Sequence, residues 1–503
     1  MVKYNNNFSL ARLLIEEYSI TSVTNDSRRI TADCGFVAIQ GTNYDGNDYL
    51  EEASLQGARV LITDSKEAII KYKDKYNLYF CQDARKLLAE ICMVLFPNTP
   101  KNMIGLTGTN GKSSVVHYIY ETLKSLNLKV ASVGTLGIKK SLTLANSSNL
   151  IEEEIKSSLT TPDTIELASY INDFALSGIE YYAMEVSSIG LHQKRIWGRK
   201  FDVAAFTNFT QDHLDYHGNM QEYLDCKLKL FEENLTDSGI AFVNNKIKEI
   251  DYIKNYIINA GKKIITYGSD NADIKYEIIS SSIKGQKFKI QYNSQEFEYS
   301  TQIIGNFQVE NLCLAIAILY HLGVPLDNIQ NIVQGVAAPK GRLERVANQG
   351  IGSRIFIDYA HTPDALERVL KSLGALKEAN SRLICVFGCG GDRDKTKRAI
   401  MGQISAKYAD ITIVTDDNPR REDASSIRAQ VIKGCNKNAE EIADREAAIA
   451  YAISSMRDRD ILIVAGKGHE TYQIIGDNKL YFSDLEVALK YCTKAAYAEN
   501  NCI

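Results

Sequence analysis

The stretch from Gly105 to Ser114, Gly-Leu-Thr-Gly-Thr-Asn-Gly-Lys-Ser-Ser, constrains this chain more than any other. Before it, Lys101 to Ile104 is short and apolar enough to end a strand. After it, apolar residues at 115, 116, 119, 123 and 126 recur at helical spacing, so a helix is expected from Val115 to Leu126. A glycine-rich turn between strand and helix aims several backbone N–H groups at one spot, and the helix dipole adds positive potential there, so the spot suits phosphate. Lys112 is placed to reach terminal phosphates, and the Ser113 hydroxyl is suited to Mg²⁺. The spacing departs from the common phosphate loop: Leu106 stands where a glycine is usual, flanked by Gly105 and Gly108. The alternative is a glycine-rich turn that binds nothing; Gly-Lys-Ser at a strand-to-helix junction argues against it.

At 503 residues the chain exceeds one ordinary core, and roughly two to four domains are expected. A net charge of −4 offers no large basic field, so nucleic acid is not an expected partner. The residues after Met1 lack the apolar core of a signal peptide, and no run of about 18 apolar residues predicts a membrane span, so a cytoplasmic protein is expected. The ten cysteines are scattered without Cys-x-x-Cys spacing, which points to reduced thiols rather than disulfides or zinc.

Residues 1 to about 96 read as a small α/β domain, with buried strands at 36–39 and 60–62 and a helix at 87–95. Its polar turns, Asn25 to Arg29 and Gly41 to Gly46, are compatible with ordinary turn chemistry. Phe96-Pro97-Asn98-Thr99-Pro100 holds two of the seven prolines and reads as a linker. Beyond the phosphate loop, strands are expected at 130–133, 181–186, 203–207 and 240–243, with helical patterns between them. That alternation implies a mostly parallel sheet, whose ligands gather at the carboxyl ends of the strands. Glu185 ends one such strand, and Asn208 to His217 follows another. The segment 210–218 is dense in metal-capable groups, although a surface loop would hold the same residues. Glu185 with Ser113 suits one Mg²⁺ shared with phosphates, and His213 a second. Residues 263–304 look richer in β structure, and a helix is expected through 311–322.

A boundary is suggested at 335–340, followed by a third α/β pattern with strands at 355–358, 383–387, 411–415 and 461–464. Each strand ends in a polar or glycine-rich loop: 358–363, 388–395, 416–420 and 466–470. Four such loops at carboxyl ends argue for a binding site rather than decoration.

Taken together, Thr107 to Ser113, Thr160-Thr161-Pro162, Met184 to Ser188, Asp212 to Gly218, Asp358 to Pro363 and the last three loops resemble the Mur ligases over nearly the whole chain. The resemblance implies α/β fold in three domains: a small N-terminal domain for the UDP end of the substrate (1–98), a central P-loop-containing parallel-sheet domain for ATP (99–337), and a C-terminal Rossmann-like domain for the incoming amino acid (338–503). It implies ATP-driven ligation of an amino acid to UDP-MurNAc-L-Ala-D-Glu through an acyl phosphate, in peptidoglycan precursor synthesis; a monomer is expected. Carried over by residue, Gly108, Thr109, Asn110, Gly111, Lys112, Ser113 and Ser114 would hold the triphosphate. Asn311, Arg342 and Asp358 would touch the nucleotide, and Ser27, Thr160, Thr161, Ser187, Gln193 and Arg195 the UDP-dipeptide. Ser113, Glu185 and His213 would serve magnesium. Lys227 reads from spacing as a solvated helix lysine; only the resemblance makes it a carbamylated metal ligand and, with Lys112 and His213, a catalytic group. Relatives often carry His where Ile189 stands, and a larger basic or aromatic residue where Asn47 stands.

Asp417-Asn418-Pro419-Arg420 is similar to the motif of family members that add meso-diaminopimelate. The guanidinium of Arg420 offers a planar fork for that substrate's distal carboxylate. Arg393, Gly466 and Glu470 would complete the pocket, Glu470 facing the distal ammonium. The alternatives are a lysine-adding relative, a folylpolyglutamate synthetase-like ligase, for which residues 1–96 would have no task, and a P-loop nucleotide switch, for which the acceptor loops would have none.

Overall fold

The computed structural model describes residues 9–41, 44–143, 150–157, 159–347, 350–435 and 439–500. Thr42 and Asn43 of the turn Gly41 to Gly46 lie outside the described residues. The chain divides into two compact units: one is Met1–Gly108, Leu123–Thr207 and Tyr216–Ile265, the other Thr109–Thr122, Asn208–Asp215 and Thr266–Ile503.

In the first unit, strands Ser22–Thr24, Cys34–Val37, Val60–Thr63 and Leu78–Phe80 form a parallel sheet in that order. Successive side chains of a strand point to opposite faces. Val37, Val60 and Ile62 accordingly pack with helices Ser9–Glu17 and Ala84–Leu95, whereas Phe36, Ala38 and Leu61 pack with Leu50 and Ala53 of helix Leu50–Leu55 and Ala68 and Tyr72 of Lys66–Tyr72. The larger sheet of this unit runs Leu235–Asn244, Phe201–Phe206, Asn102–Thr107, Tyr181–Glu185, Val130–Gly134, Gly137–Thr143, Leu150–Ile155. All its pairs up to Val130–Gly134 are parallel, and the last two are antiparallel. The strand before the phosphate loop, Asn102–Thr107, has Phe201–Phe206 on one side and Tyr181–Glu185 on the other. Connections leave it in both directions, which opens a crevice at its carboxyl end.

In the second unit, strands Ile274–Ser282, Gly285–Tyr292 and Gln295–Thr301 form an antiparallel meander. The helix Asn306–His321 is buried over most of its length. The C-terminal sheet runs Arg342–Arg345, Ile355–Asp358, Ile461–Ala465, Leu383–Phe387, Ile411–Val414, Ala439–Glu441, parallel except for the first pair. Phe356, Cys385 and Ile463 face helices Pro363–Gly374, Lys397–Tyr408 and Ala424–Gly434; Ile357, Ile384 and Leu462 face Arg445–Ser454 and Asp484–Asn500. Central parallel strands buried on both faces read as unbroken apolar runs, which is why these were visible in sequence. The described cysteines are free thiols.

Candidate active site

The phosphate loop joins strand Asn102–Thr107 to helix Lys112–Ser125, three residues earlier than the apolar spacing alone indicates. Gly108 (φ 136°) and Gly111 (φ 91°) adopt backbone conformations that side chains resist. Gly105 serves packing instead, since its β-carbon would press on Phe201 at 3.2 Å. Asn208, directly after strand Phe201–Phe206, braces the loop: its carbonyl accepts from Thr109 N (2.9 Å) and its Oδ1 from Asn110 N (2.6 Å). Those two amides are thereby engaged by protein, which narrows the anion-binding role expected of every residue from Gly108 to Ser114. Lys112 Nζ donates to Thr109 O at 2.9 Å, folded over the loop, and Ser113 and Ser114 are buried. Beside the loop, Asn208 Nδ2 and Thr210 Oγ1 are buried without a hydrogen-bond partner among the described residues. Orphaned buried polar atoms call for a missing partner, and phosphate oxygens fit them.

Asn311, Gln308 and Arg342 form one chain of contacts. Gln308 Oε1 accepts from Tyr118 Oη (3.0 Å) and Asn311 Nδ2 (3.3 Å), while its Nε2 donates to Arg342 O (2.9 Å). The Arg342 guanidinium lies 4.4 Å from the Tyr359 ring centre, and its Nε is buried and unpartnered among the described residues. Asp358, expected to touch the nucleotide, is tied to the chain as well: its two oxygens accept from Leu343 N (2.6 Å) and Ala360 N (2.8 Å). It shapes the loop that carries Arg342, and burial raises its pKa to about 6. Tyr359 is flanked by His361 and His469, with ring centres at 4.6 and 5.3 Å. Burial lowers the pKa of both imidazoles to about 4, with Lys397 adding to the effect at His361 and Arg342 at His469.

In the first unit, Glu185 ends its strand with its carboxylate buried, Oε1 accepting Thr135 N (2.7 Å) and Oε2 Thr135 Oγ1 (3.3 Å). Thr135 Oγ1 also meets Thr160 Oγ1 at 3.0 Å. Thr161 Oγ1 donates to Glu185 O (2.9 Å), and Ser187 N donates back to Thr161 Oγ1 (3.0 Å). Arg195 donates to Thr161 O (2.5 Å) and to Gln193 Oε1 (2.7 Å), and Gln193 Nε2 reaches Tyr216 Oη (3.3 Å). Thr160, Thr161, Ser187, Gln193 and Arg195 thus share one network with Glu185. Ser27 stands elsewhere in that unit, buried, donating to Glu52 at 3.2 Å. Asn47 braces its own turn through Asp45 (2.8 Å) and Thr63 (2.6 Å). Near Ile189, imidazole is present after all: His217 Nε2 lies 2.9 Å from Ser188 Oγ.

Lys227 is not the solvated helix lysine that spacing suggests. It is buried, with Nζ donating to Gly108 O at 3.0 Å and lying 4.3 Å from the Tyr223 ring centre. His213 is about half exposed, has φ 52°, and its Nε2 lies 3.6 Å from Asp212. Among the described residues no three His, Cys, Asp or Glu side chains form a metal cluster. Glu185 and Ser113 each carry oxygen donors of the kind Mg²⁺ prefers, an ion that keeps most of its water and takes few protein ligands.

The C-terminal loops bring Asp417, Asn418, Pro419, Arg420, Gly466 and Glu470 together. Gly466 adopts φ 115°, a conformation that side chains resist, and a β-carbon would crowd Asp417 Oδ2 at 3.1 Å. A β-carbon on Gly391 would overlap Pro419 O at 1.9 Å. Arg420 (φ 53°) donates to Gly391 O at 2.8 Å, and its own N donates to Ile474 O at 3.0 Å. Glu470 does not simply face outward for an ammonium: its Oε2 accepts from Asn418 Nδ2 (3.0 Å) and lies 3.5 Å from Lys467 Nζ. Arg393 is exposed and makes no hydrogen bond among the described residues. Thr135 and Gln308 were missed in sequence, and Asn208 and Lys467 lay in marked strand-end segments without being singled out. Position just past a strand's carboxyl end was the usable signal for Asn208, Thr135 and Lys467; Gln308, inside a helix, had none.

A phosphate loop on a parallel sheet, followed by a second α/β sheet with polar loops at its strand ends, is the arrangement of a nucleotide-binding α/β protein. Three family models match in order: "Mur ligase family, catalytic domain" over residues 19–92, "Mur ligase middle domain" over 106–319, and "Mur ligase, glutamate ligase domain" over 341–468. The chain is 44% identical over 485 residues to UDP-N-acetylmuramoyl-L-alanyl-D-glutamate--2,6-diaminopimelate ligase of Rickettsia conorii, covering 96% of this chain and 98% of that one. A solved structure of an enzyme with the same name is 29% identical, with TM-score 0.67 and 95% of each chain covered. The MurF ligase of Thermotoga maritima, solved in complex with ADP, shares the fold at 15% identity, with TM-score 0.62 over 95% of this chain and 98% of that one. The chain belongs to the Mur ligase family and is an ATP-dependent ligase of peptidoglycan synthesis.

Proposed function

We propose that this protein adds meso-diaminopimelate to the D-glutamate of UDP-MurNAc-L-Ala-D-Glu, as a cytoplasmic monomer. The observation that carries the choice of amino acid is the gathering of Asp417, Asn418, Arg420 and Glu470 at the carboxyl ends of strands Ile411–Val414 and Ile461–Ala465. Together they offer a cation for a carboxylate and carboxylates for an ammonium, the two groups at the far end of diaminopimelate. Lysine has only the ammonium. The name of the Rickettsia conorii relative supports the same substrate. No helix among the described residues is long and apolar enough to cross a membrane.

A carboxylate is a poor electrophile. Its oxygen attacks the γ-phosphorus of ATP, the bond to ADP breaks, and an acyl phosphate results. The neutral amine of diaminopimelate attacks that carbonyl, phosphate leaves, and the amine proton passes to solvent. Lys112 and the loop to Ser114 neutralise charge on the phosphates, and Thr160, Thr161, Ser187, Gln193 and Arg195 position the UDP-dipeptide. Glu185 and Ser113, with His213 and a carbamate on Lys227, would hold Mg²⁺, which supplies further charge neutralisation when bound. Carbamylation would turn a repelling ammonium into an anionic oxygen ligand.

Phosphate release tests the proposal. Release is expected only when ATP, UDP-MurNAc-L-Ala-D-Glu and meso-diaminopimelate are all present. Equal release with L-lysine indicates the lysine-adding branch, and release with ATP alone indicates a nucleotide switch.

A further inference from the structure

Lys467 directly follows the central C-terminal strand, between Gly466 (φ 115°) and Gly468 (φ 54°). Both adopt conformations that side chains resist, and a β-carbon on Gly468 would lie 2.7 Å from Tyr359 Cβ. The two turns send the lysine inward, where its side chain is fully buried. Its Nζ lies 3.0 Å from Asn418 Oδ1, 3.4 Å from Asp417 Oδ1 and 3.5 Å from Glu470 Oε2. An ammonium has three donors and no acceptor, so these three oxygens use its capacity fully. Asn418 Oδ1 also accepts Ile474 N at 2.9 Å, and Asn418 Nδ2 reaches Glu470. Two further buried cations near these loops are already matched, Arg445 by Asp484 at 2.7 Å and Arg398 by Glu422 at 3.1 Å.

From this geometry we infer that Lys467 is the positioning residue of the amino-acid pocket, holding Asp417, Asn418 and Glu470 in place and leaving the cluster with one net negative charge. The inference rests on the reading of these loops as the diaminopimelate site. One negative charge from two carboxylates and one ammonium matches one incoming ammonium. The arginine side of the pocket, Arg420, is left to the distal carboxylate. Without Lys467, Asp417 and Glu470 would face each other uncompensated, and like charges at that range in a buried site push the loops apart.

The test compares wild type, Lys467→Met and the double variant Lys467→Met/Glu470→Gln in the full ligase assay, with thermal melts confirming folding. Lys467→Met is expected to lower kcat/KM for meso-diaminopimelate on the order of 100-fold, mostly through KM, with KM for ATP unchanged. The double variant restores the single net negative charge and is expected to recover at least tenfold of that loss. A purely packing role predicts no such recovery. An unchanged KM for diaminopimelate in Lys467→Met, or a double variant no better than the single, overturns the inference while wild-type activity leaves the functional reading standing. A wild-type enzyme indifferent to diaminopimelate overturns both. Should Lys467→Met not fold, Glu470→Gln and Asp417→Asn replace it. Each leaves the cluster neutral, so each is expected to raise KM for diaminopimelate, and unaltered KM in both counts against the charge match.

Discussion

A β-carbon on Gly134 would lie 2.2 Å from Oε1 of Glu185 and 2.7 Å from its Cγ. Glu185 is buried and cannot swing to solvent, so the bare backbone at Gly134 is what lets the carboxylate reach Thr135. Gly134→Ala is expected to displace Glu185 and cut turnover on the order of 100-fold with a raised Mg²⁺ requirement. A magnesium titration of the variant reads this directly, and a wild-type curve would remove Glu185 from the metal site.

Lys227→Ala is expected to be nearly inactive and partly rescued by small carboxylates such as formate or acetate. The buried amine beside Gly108 O is in a position that solvent charge does not serve. A dose-dependent return of phosphate release checks the rescue. Full activity without additives would take Lys227 out of the reaction.

For Arg420→Ala the amino-acid substrate is the readout. A charge-assisted pair contributes about 1.5–3 kcal/mol, so KM for diaminopimelate should rise roughly tenfold to a hundredfold. The dipeptide and ATP constants should hold. Unaltered kinetics with diaminopimelate would refute the assignment.

Stability should fall as pH drops. His361 and His469 have pKa values lowered to about 4 from 6.5. Their neutral forms are favoured in the fold, so the full contribution exists above pH 6.5 and is lost as pH falls towards 4, because the unfolded chain protonates first. From pH 7 to pH 5 that loss is roughly 2 kcal/mol per ring at most. Asp358 works against it: with its pKa raised to about 6, the folded state takes up a proton first and gains about 1 kcal/mol over the same range. The urea midpoint of the protein should therefore drop between pH 7 and pH 5, and His469→Gln should flatten the drop. A pH-independent difference between variant and wild type would contradict this.

Arg445 and Asp484 are both fully buried and paired at 2.7 Å. Arg445 also donates to Ala465 O at 3.0 Å, just before the Gly466 turn. Arg445→Met strands a buried carboxylate and should destabilise by about 3–5 kcal/mol, whereas Arg445→Met/Asp484→Leu should recover part of it. Thermal denaturation of both variants decides.

Much of the scaffold was legible because buried parallel strands are apolar runs. Phe201–Phe206, Leu383–Phe387 and Ile461–Ala465 stand within a residue or two of expectation. The edge pair Gly137–Thr143 and Leu150–Ile155 was not legible. Between the apolar pairs Ile138 with Ile155 and Leu142 with Ile151 stand Lys139 with Glu154 and Lys140 with Glu153, so charges break the apolar run. The hairpin Tyr472–Ile475 and Asn478–Tyr481, whose Ile474 N bonds Asn418, was missed for its short, half-exposed strands.

By itself the sequence determined the order of α/β elements, the phosphate loop and which loops end at strand carboxyl ends, because periodicity and glycine spacing are local properties of the chain. Tertiary structure alone decided that Lys227 is buried, that Asp358 accepts from the backbone of Leu343, and that Asn208, Gln308 and Lys467 bond to residues of the loops marked in sequence. Each of those depends on a hydrogen-bond partner distant in sequence, and no local pattern encodes which distant oxygen a buried amine or amide will meet.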